Sequence, residues 1–417
     1  MHASLLVVGA APNPTSMKPT HPPSILLPVA GATLFRLVLN TARRFAYPFA
    51  PALSRGLGVS LSAITSLIAA NQLTSLLGAL VGPLADRLGY RKMMIAGMAM
   101  LSGGMLAAAF FPLFGVVLAA LFLAGLGKSV FDPAVQAWMG SRVPYHRRAL
   151  VVGVIETSWS TSTLIGIPLV ALLMDSYGWR SPFLVMGVLG GIGALTLLVI
   201  FPSDPASRPA KAPAAEYRSA FLRMMVHKPA LGALGYAFFV SAANDNLFVV
   251  YGVWLERSFG LGLVAIGLGT SLIGAAELLG ETLTATISDR VGLKRAIYTG
   301  LCLSVLSYLG LPLLDFSLEA ALTGLAVLFL VFEFTLVTSL SLCTELLPGY
   351  RATMVAGFFA AAGVGRVLGA LMGGVVWHAG GILATGWVSG GLTLIGLLCL
   401  MRGLRGWRPG VVGSGIG

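Results

Sequence analysis

Charge is what this chain lacks. Asp, Glu, Lys and Arg make up only 10% of its 417 residues, where an ordinary soluble domain carries about 25%, so a water-facing surface of the usual kind is excluded. Cysteine is nearly missing too. Cys302, Cys343 and Cys399 are odd in number and lie in apolar runs, which leaves neither a disulfide framework nor a metal spacing. The five histidines are scattered, and no Ser-His-Asp constellation appears. Gly127-Lys128-Ser129 has the end of a phosphate loop, but Phe122 stands where its first glycine belongs, so nucleotide binding is rejected. These absences argue against an enzyme, a metal centre and any cofactor. No hydrophilic stretch is long enough to form a receptor's signalling domain.

What abounds is apolar: 57% of residues are hydrophobic and 53 are glycine. Cutting the sequence where charge or proline clusters yields twelve candidate membrane helices, at 26–53, 60–84, 93–111, 113–140, 149–174, 182–201, 230–254, 262–286, 296–313, 318–346, 352–376 and 382–401. Each reaches the roughly 17–20 residues needed to cross the hydrocarbon layer. With both termini in the cytoplasm, only Arg55, Arg180 and Arg257 of the 27 Lys and Arg fall on the opposite side. Five more lie inside helices, and the rest are cytoplasmic, the bias of the positive-inside rule. The net charge of +12 is therefore topological and implies no nucleic acid. Residues 1–24, rich in Pro, Ser and Thr, read as a disordered cytoplasmic tail, because the early apolar run Leu5 to Ala11 lacks the basic flank of a secretory signal.

The chain repeats itself. Gly82-Pro83-Leu84-Ala85-Asp86-Arg87-Leu88-Gly89-Tyr90-Arg91-Lys92 is rewritten as Ile287-Ser288-Asp289-Arg290-Val291-Gly292-Leu293-Lys294-Arg295, with Asp86, Arg87 and Gly89 on Asp289, Arg290 and Gly292 at a shift of 203. Val143-Pro144-Tyr145-His146-Arg147 aligns with Leu347-Pro348-Gly349-Tyr350-Arg351 at 204. Leu57-Gly58-Val59 falls on Phe259-Gly260-Leu261 at 202. A duplicated membrane protein follows: an N-terminal bundle at 25–201, a Pro-rich cytoplasmic linker at 202–228, a C-terminal bundle at 229–402 and a tail at 403–417.

Charge inside the helices marks the site. Arg36, Asn40, Arg43, Arg44 and Tyr47 share one face of the first helix, which lipid cannot accept; Pro48 and Pro51 then bend its outer end. Lys128, Asp132 and Gln136 share a face of the fourth, where Lys128 and Asp132 can pair. The fifth carries Glu156 among small hydroxyls, the seventh Asn244-Asp245-Asn246, the eighth Glu277 and Glu281 one turn apart, and the tenth Glu333. Arg366 stands beside Gly365, Gly369 and Gly373 in the eleventh. At about 2.5–3.5 kcal/mol per uncompensated charge, these eleven charges would cost roughly 28–38 kcal/mol against a total stability of about 5–15 kcal/mol. Most must be paired, hydrated or neutralised in a polar cavity between the halves. The 202-residue shift sets Arg43 and Arg44 level with Asp245 and Asn246, so Arg43 is expected to face Asp245 across that cavity.

The repeated turn resembles the loop motif of the major facilitator superfamily, and the resemblance covers about residues 25–405. It implies an all-α membrane protein of two pseudo-symmetric six-helix bundles that rock about a midplane site. Within the superfamily the chain is most similar to the twelve-helix drug/proton antiporter type. Gly125-Leu126-Gly127 matches the glycines of its helix-4 motif, though that motif's arginine would fall on Leu121, with Lys128 as stand-in. Gly166-Ile167-Pro168 resembles the helix-5 motif, whose Gly and Pro are adjacent. The resemblance implies a secondary active transporter of the cell membrane, monomeric, exporting a small organic or amphiphilic solute against protons. Export of an anionic lipid or amphiphile, and uptake by symport, are the alternatives. Cavity candidates are Asn40, Arg43, Arg44, Tyr47, Lys128, Asp132, Asn244, Asp245, Glu333 and Arg366. Proton carriers are sought among Glu156, Asp245, Glu277 and Glu281, with Asp245 and Glu156 foremost, since carboxylates held partly out of water can exchange protons near neutrality. Asp86, Arg87, Arg91, Asp289 and Arg290 are the gating candidates, with Asp86 set to meet the positive N-terminus of helix 11 near Thr353.

Overall fold

Long apolar runs leave the backbone no option in lipid but to satisfy its own polar groups as helix. The computed structural model describes residues 26–143, 151, 153–201, 221–347 and 350–407, and no strand occurs among them. The tail at 1–24, most of the linker, the chain beyond 407 and the paired segments 144–147 and 348–349 lie outside the described residues, as do the side chains of Asp86, Arg87 and Asp289. In chain order the helices are α1 (Leu26–Arg44), α2 (Ala50–Leu57), α3 (Leu61–Leu88), α4 (Tyr90–Phe110) and α5 (Phe114–Arg142). Then come α6 (Gly153–Tyr177), α7 (Ser181–Ile200), α8 (Lys228–Phe248), α9 (Tyr251–Phe259) and α10 (Leu263–Ser288). The last are α11 (Leu293–Gly310), α12 (Leu318–Leu346) and α13 (Arg351–Gly403). Among the described residues nine helices are long and apolar enough to cross a membrane, or ten if α2 and α3, bent by 114°, count as one span.

Local chemistry explains the departures from straight helix. The first expected helix, 26–53, stops at Arg44 and restarts at Ala50, with Pro51 in the first turn of α2; Pro48, in the gap, has no N–H to donate. Its counterpart in the second half is interrupted at the same level, between Phe248 and Tyr251. Within α6 the residues Ser162–Gly166 form a wide π turn just before Pro168. Pro168 cannot donate to the Leu164 carbonyl, and the hydroxyl of Ser271 in α10 donates to it instead, at 3.0 Å. A proline in one half thus creates a bond to the other. α13 is two arms, broken at Gly380 and at Gly381, where φ is +59°.

The duplication is visible in the backbone. Gly58 and Gly260 have φ of +66° and +65°, Gly89 and Gly292 +96° and +89°, Gly178 and Gly381 +84° and +59°. Only glycine adopts this region without strain. The first two pairs are those the sequence repeat predicts. The third, at the same shift of 203, has flanks that share nothing. We call the end bearing Gly58, Gly178, Gly260 and Gly381 distal, and that bearing Gly89 and Gly292 proximal.

Without water to exclude, helices in lipid hold together by close contact of small residues. Gly365, Gly369 and Gly373 seat the first arm of α13 on α8: a Cβ at these positions would strike the backbone of Phe238, Ala242 and Asn246. Gly127 meets the Gly97 carbonyl of α4, while Gly125 meets Asn71 and Thr74 of α3. Large apolar side chains face outward, Val199 being 85% and Leu306 64% exposed, as a lipid-facing surface requires. The distal ends of the halves are joined. Arg55 pairs with Glu256 at 2.6 Å, and Gly252 lies against the Pro48 carbonyl, where any side chain would collide.

Candidate functional site

The interior charges gather into three groups, each placed by a feature of the backbone around it. The first is internal to the N-terminal half. Arg36 of α1 pairs with Asp132 at 3.1 Å and with Glu156 at 2.9 Å, and donates to the Ile155 carbonyl at 3.1 Å. Lys128 pairs with Asp132 at 2.5 Å, as their four-residue spacing predicts. Gln136 donates to Glu156 at 3.4 Å, and Asn40 to Ser158 at 3.2 Å. Two cations meet two anions here, so the group balances. The glycines at 125 and 127 let α5 sink against α3 and α4, which fixes the level at which Lys128 enters.

The second group crosses the seam. Arg44, at the end of α1, pairs with Glu277 of α10 at 2.5 Å, both side chains almost wholly buried. Its guanidinium lies 4.3 Å from the Trp159 ring centre and 5.5 Å from that of Phe248, a further source of attraction for a desolvated cation. Glu277 also accepts from Thr163 at 3.2 Å, and Glu281, one turn on, accepts from Ser160 at 3.0 Å. The close approach of α10 and α12 at Gly280 brings Glu333 alongside, since a Cβ on Gly280 would lie 3.1 Å from that of Glu333. Among the described residues Glu333 is buried and has no hydrogen bond or ion pair.

The third group is a chain of polar atoms across the two interrupted helices. Arg43 donates to Gln72, Gln72 donates to the Tyr47 hydroxyl, and Tyr47 donates to Asp245 at 2.7 Å. Asp245 also has Arg366 at 3.9 Å, delivered there by the glycine face of α13. Arg43 and Asp245 are therefore connected through Gln72 and Tyr47 rather than paired. The interior ion pair between halves joins Arg44 to Glu277 instead. Asn246 turns away from the seam to Ser389, at 3.0 Å, and Asn244 has no hydrogen-bond partner among the described residues.

Gln72 is the participant that the search for charge overlooks. It was legible as a lone polar pair, Asn71-Gln72, in an apolar helix. Of the gating candidates, Arg91 donates to the Leu198 carbonyl and Arg290 is exposed; Asp86, Arg87 and Asp289 have no described side chains. An apolar groove of about 350 Å³, lined by Leu37, Val38, Thr41, Leu169, Leu173 and Met186 among others, runs along the flank of α1, α6 and α7 and contains none of these charges.

Comparison with known proteins gives this geometry a setting. The family profile described as Major Facilitator Superfamily matches residues 32–332 and 233–412. The chain is 24% identical over 303 residues to the uncharacterized MFS-type transporter YceJ of Bacillus subtilis, covering 72% of this chain and 76% of that one. It is 27% identical over 281 residues to a multi-drug resistance efflux pump PmrA homolog of Lactococcus lactis, covering 65% and 69%. Among solved structures it resembles a bacterial homolog of the human lysosomal transporter Spinster, captured inward-facing and unoccupied, with a TM-score of 0.75 at 16% identity over 92% of this chain and 96% of that one.

Proposed function

The chain belongs to the major facilitator superfamily and is a membrane transporter rather than an enzyme; we propose that it is a secondary active transporter exporting a small organic or amphiphilic solute in exchange for protons. The observation that carries the coupling is the acidic cluster on the seam. Glu277 and Glu281 bond across it to Arg44, Thr163 and Ser160, while Glu333 is buried beside them with no hydrogen bond or ion pair among the described residues. An ionised carboxylate buried alone is costly, and a proton removes the cost. Proton binding at Glu333 or Glu281 also changes the charge around Arg44, and with it the hold of the Arg44–Glu277 pair on the two halves. Chemistry and conformation are then linked through one ion pair. Glu156, already held by Arg36 at 2.9 Å, is less suited to the task.

The positive-inside bias puts the proximal end in the cytoplasm. The distal contacts Arg55–Glu256 and Pro48–Gly252 hold the halves together on the far side. On this reading solute is released on the far side after these contacts break. Similarity to a protein named as a multi-drug efflux pump supports export. The test uses purified protein in proteoliposomes, with internal pH followed by a dye while solutes from a chemically diverse library are added. Proton movement is expected with some solutes. Glu333→Gln is expected to abolish pH-driven accumulation and leave solute exchange. Full pH-driven accumulation by Glu333→Gln and Glu281→Gln, alone and together, would refute coupling at this cluster.

A further inference from the structure

The three charge groups are not alike in how they can be neutralised. A carboxylate loses its charge by taking a proton; a guanidinium in a protein does not lose one. In the N-terminal group, Arg36 and Lys128 are matched by Asp132 and Glu156. On the seam, Arg44 is matched by Glu277 at 2.5 Å, and protons can discharge Glu281 and Glu333. What is left is Arg43 and Arg366 against the single carboxylate of Asp245. That excess is positive and cannot be titrated away.

Both guanidiniums are also short of partners. Among the described residues Arg43, 8% exposed, gives one hydrogen bond, to the neutral oxygen of Gln72, and its buried Nε has nothing to donate to. Arg366 donates no hydrogen bond among the described residues. Its Nε stands 3.9 Å from Asp245, beyond hydrogen-bonding range, and its side chain is 21% exposed. Both converge on the same Tyr47–Asp245 pair, Arg43 through Gln72 and Arg366 at 3.9 Å. Two under-used guanidiniums, one reachable and one buried, are the recognition chemistry of a carboxylate, sulfonate or phosphate group.

We propose that the transported solute is an organic anion whose acidic group binds between Arg43 and Arg366, displacing Asp245 from Arg366. Asp245 is then the surrogate that holds Arg366 while the site is empty. Displacing it also disturbs the hydrogen bond from Tyr47, which joins α1 to α8 across the seam. Solute binding is thereby felt by the contact between halves. The inference rests on the transporter reading above but not on proton coupling.

The experiment measures binding first and transport second. Full-length protein in detergent is titrated by calorimetry with benzoate, benzenesulfonate and phenyl phosphate, and separately with benzyltrimethylammonium and tetraphenylphosphonium. At least one anion is expected to bind and neither cation. Arg366→Gln is expected to weaken that anion roughly 10–100-fold, the worth of a charge-assisted hydrogen bond, and Arg366→Lys to recover part of the loss. Arg257→Gln, on the exposed distal rim, controls for net charge and is expected to change nothing. Arg43→Gln is expected to weaken the same anion; should that variant fail to fold, the selectivity of the unaltered protein still decides. Binding of a cation with no binding of any anion overturns the inference, as does anion affinity unchanged in Arg366→Gln. In proteoliposomes the anion that binds is expected to exchange with its labelled form. Exchange without any pH-driven accumulation would remove the proton coupling and leave the anion site standing.

Discussion

Arg44 and Glu277 stand 2.5 Å apart with side chains 5% and 4% exposed. Deleting one partner of such a pair strands the other, at a cost of about 3–5 kcal/mol. Arg44→Ala and Glu277→Ala are each expected to lower the thermal unfolding midpoint in detergent, and the double variant to lose less than the sum. Similar additivity tests separate the partners of Asp245. The coupling of Arg366 to Asp245 should be direct, while Gln72→Leu should remove whatever coupling Arg43 has to Asp245, because the connection runs through Gln72 and Tyr47. Equal coupling in the presence and absence of Gln72 would contradict that path. These pairings were only half legible. The 202-residue repeat assigns Arg43, Arg44 and Asp245 a common level along their helices. It says nothing of azimuth: Arg43 and Arg44 point about 100° apart on α1, and it is Arg44 that meets Glu277.

Where two helices touch through glycine, the sequence shows the contact but not its partner. The four-residue spacing of Gly365, Gly369 and Gly373 marks a packing face; that α8 receives it, and that Arg366 is thereby set beside Asp245, took the fold to show. A Cβ at Gly369 would strike the Ala242 carbonyl, a backbone atom that cannot rotate away, whereas one at Gly391 meets nothing within 4 Å. Gly369→Ala is therefore expected to destabilise by about 1–3 kcal/mol and to weaken solute binding by moving Arg366, with Gly391→Ala neutral in both. Comparable melting of the two variants would show that α13 can slide on α8. The breaks in α1 and α6 were foreshadowed by Pro48 and Pro168. The matching break after Phe248 has no proline; just past it Gly252 rests on the Pro48 carbonyl, in the break of the other half.

Across the whole molecule the halves meet along two seams, α3 against the first arm of α13 and α6 against α10. At the distal end of the first seam a Cβ on Gly374 would lie 3.4 Å from Ser62 Oγ and 3.5 Å from Ser62 Cα. That is within the reach of a disulfide, whose Cβ atoms are typically about 3.5–4.5 Å apart. The duplicated, membrane-embedded architecture was readable from the repeat and the apolar runs, because a period of about 200 residues survives divergence in the turns that end helices. Which face is closed was not, because closure depends on contacts between segments that are far apart in the chain. The account's central claim is that the buried charges are reached from opposite sides in turn, and that the distal contacts must part for solute to leave. The most direct test is Ser62→Cys with Gly374→Cys in a protein whose Cys302, Cys343 and Cys399 are replaced by serine, assayed for solute exchange in proteoliposomes. Oxidation is expected to form the cross-link and stop exchange, and reduction to restore it. Exchange at an undiminished rate with the cross-link complete would contradict the account.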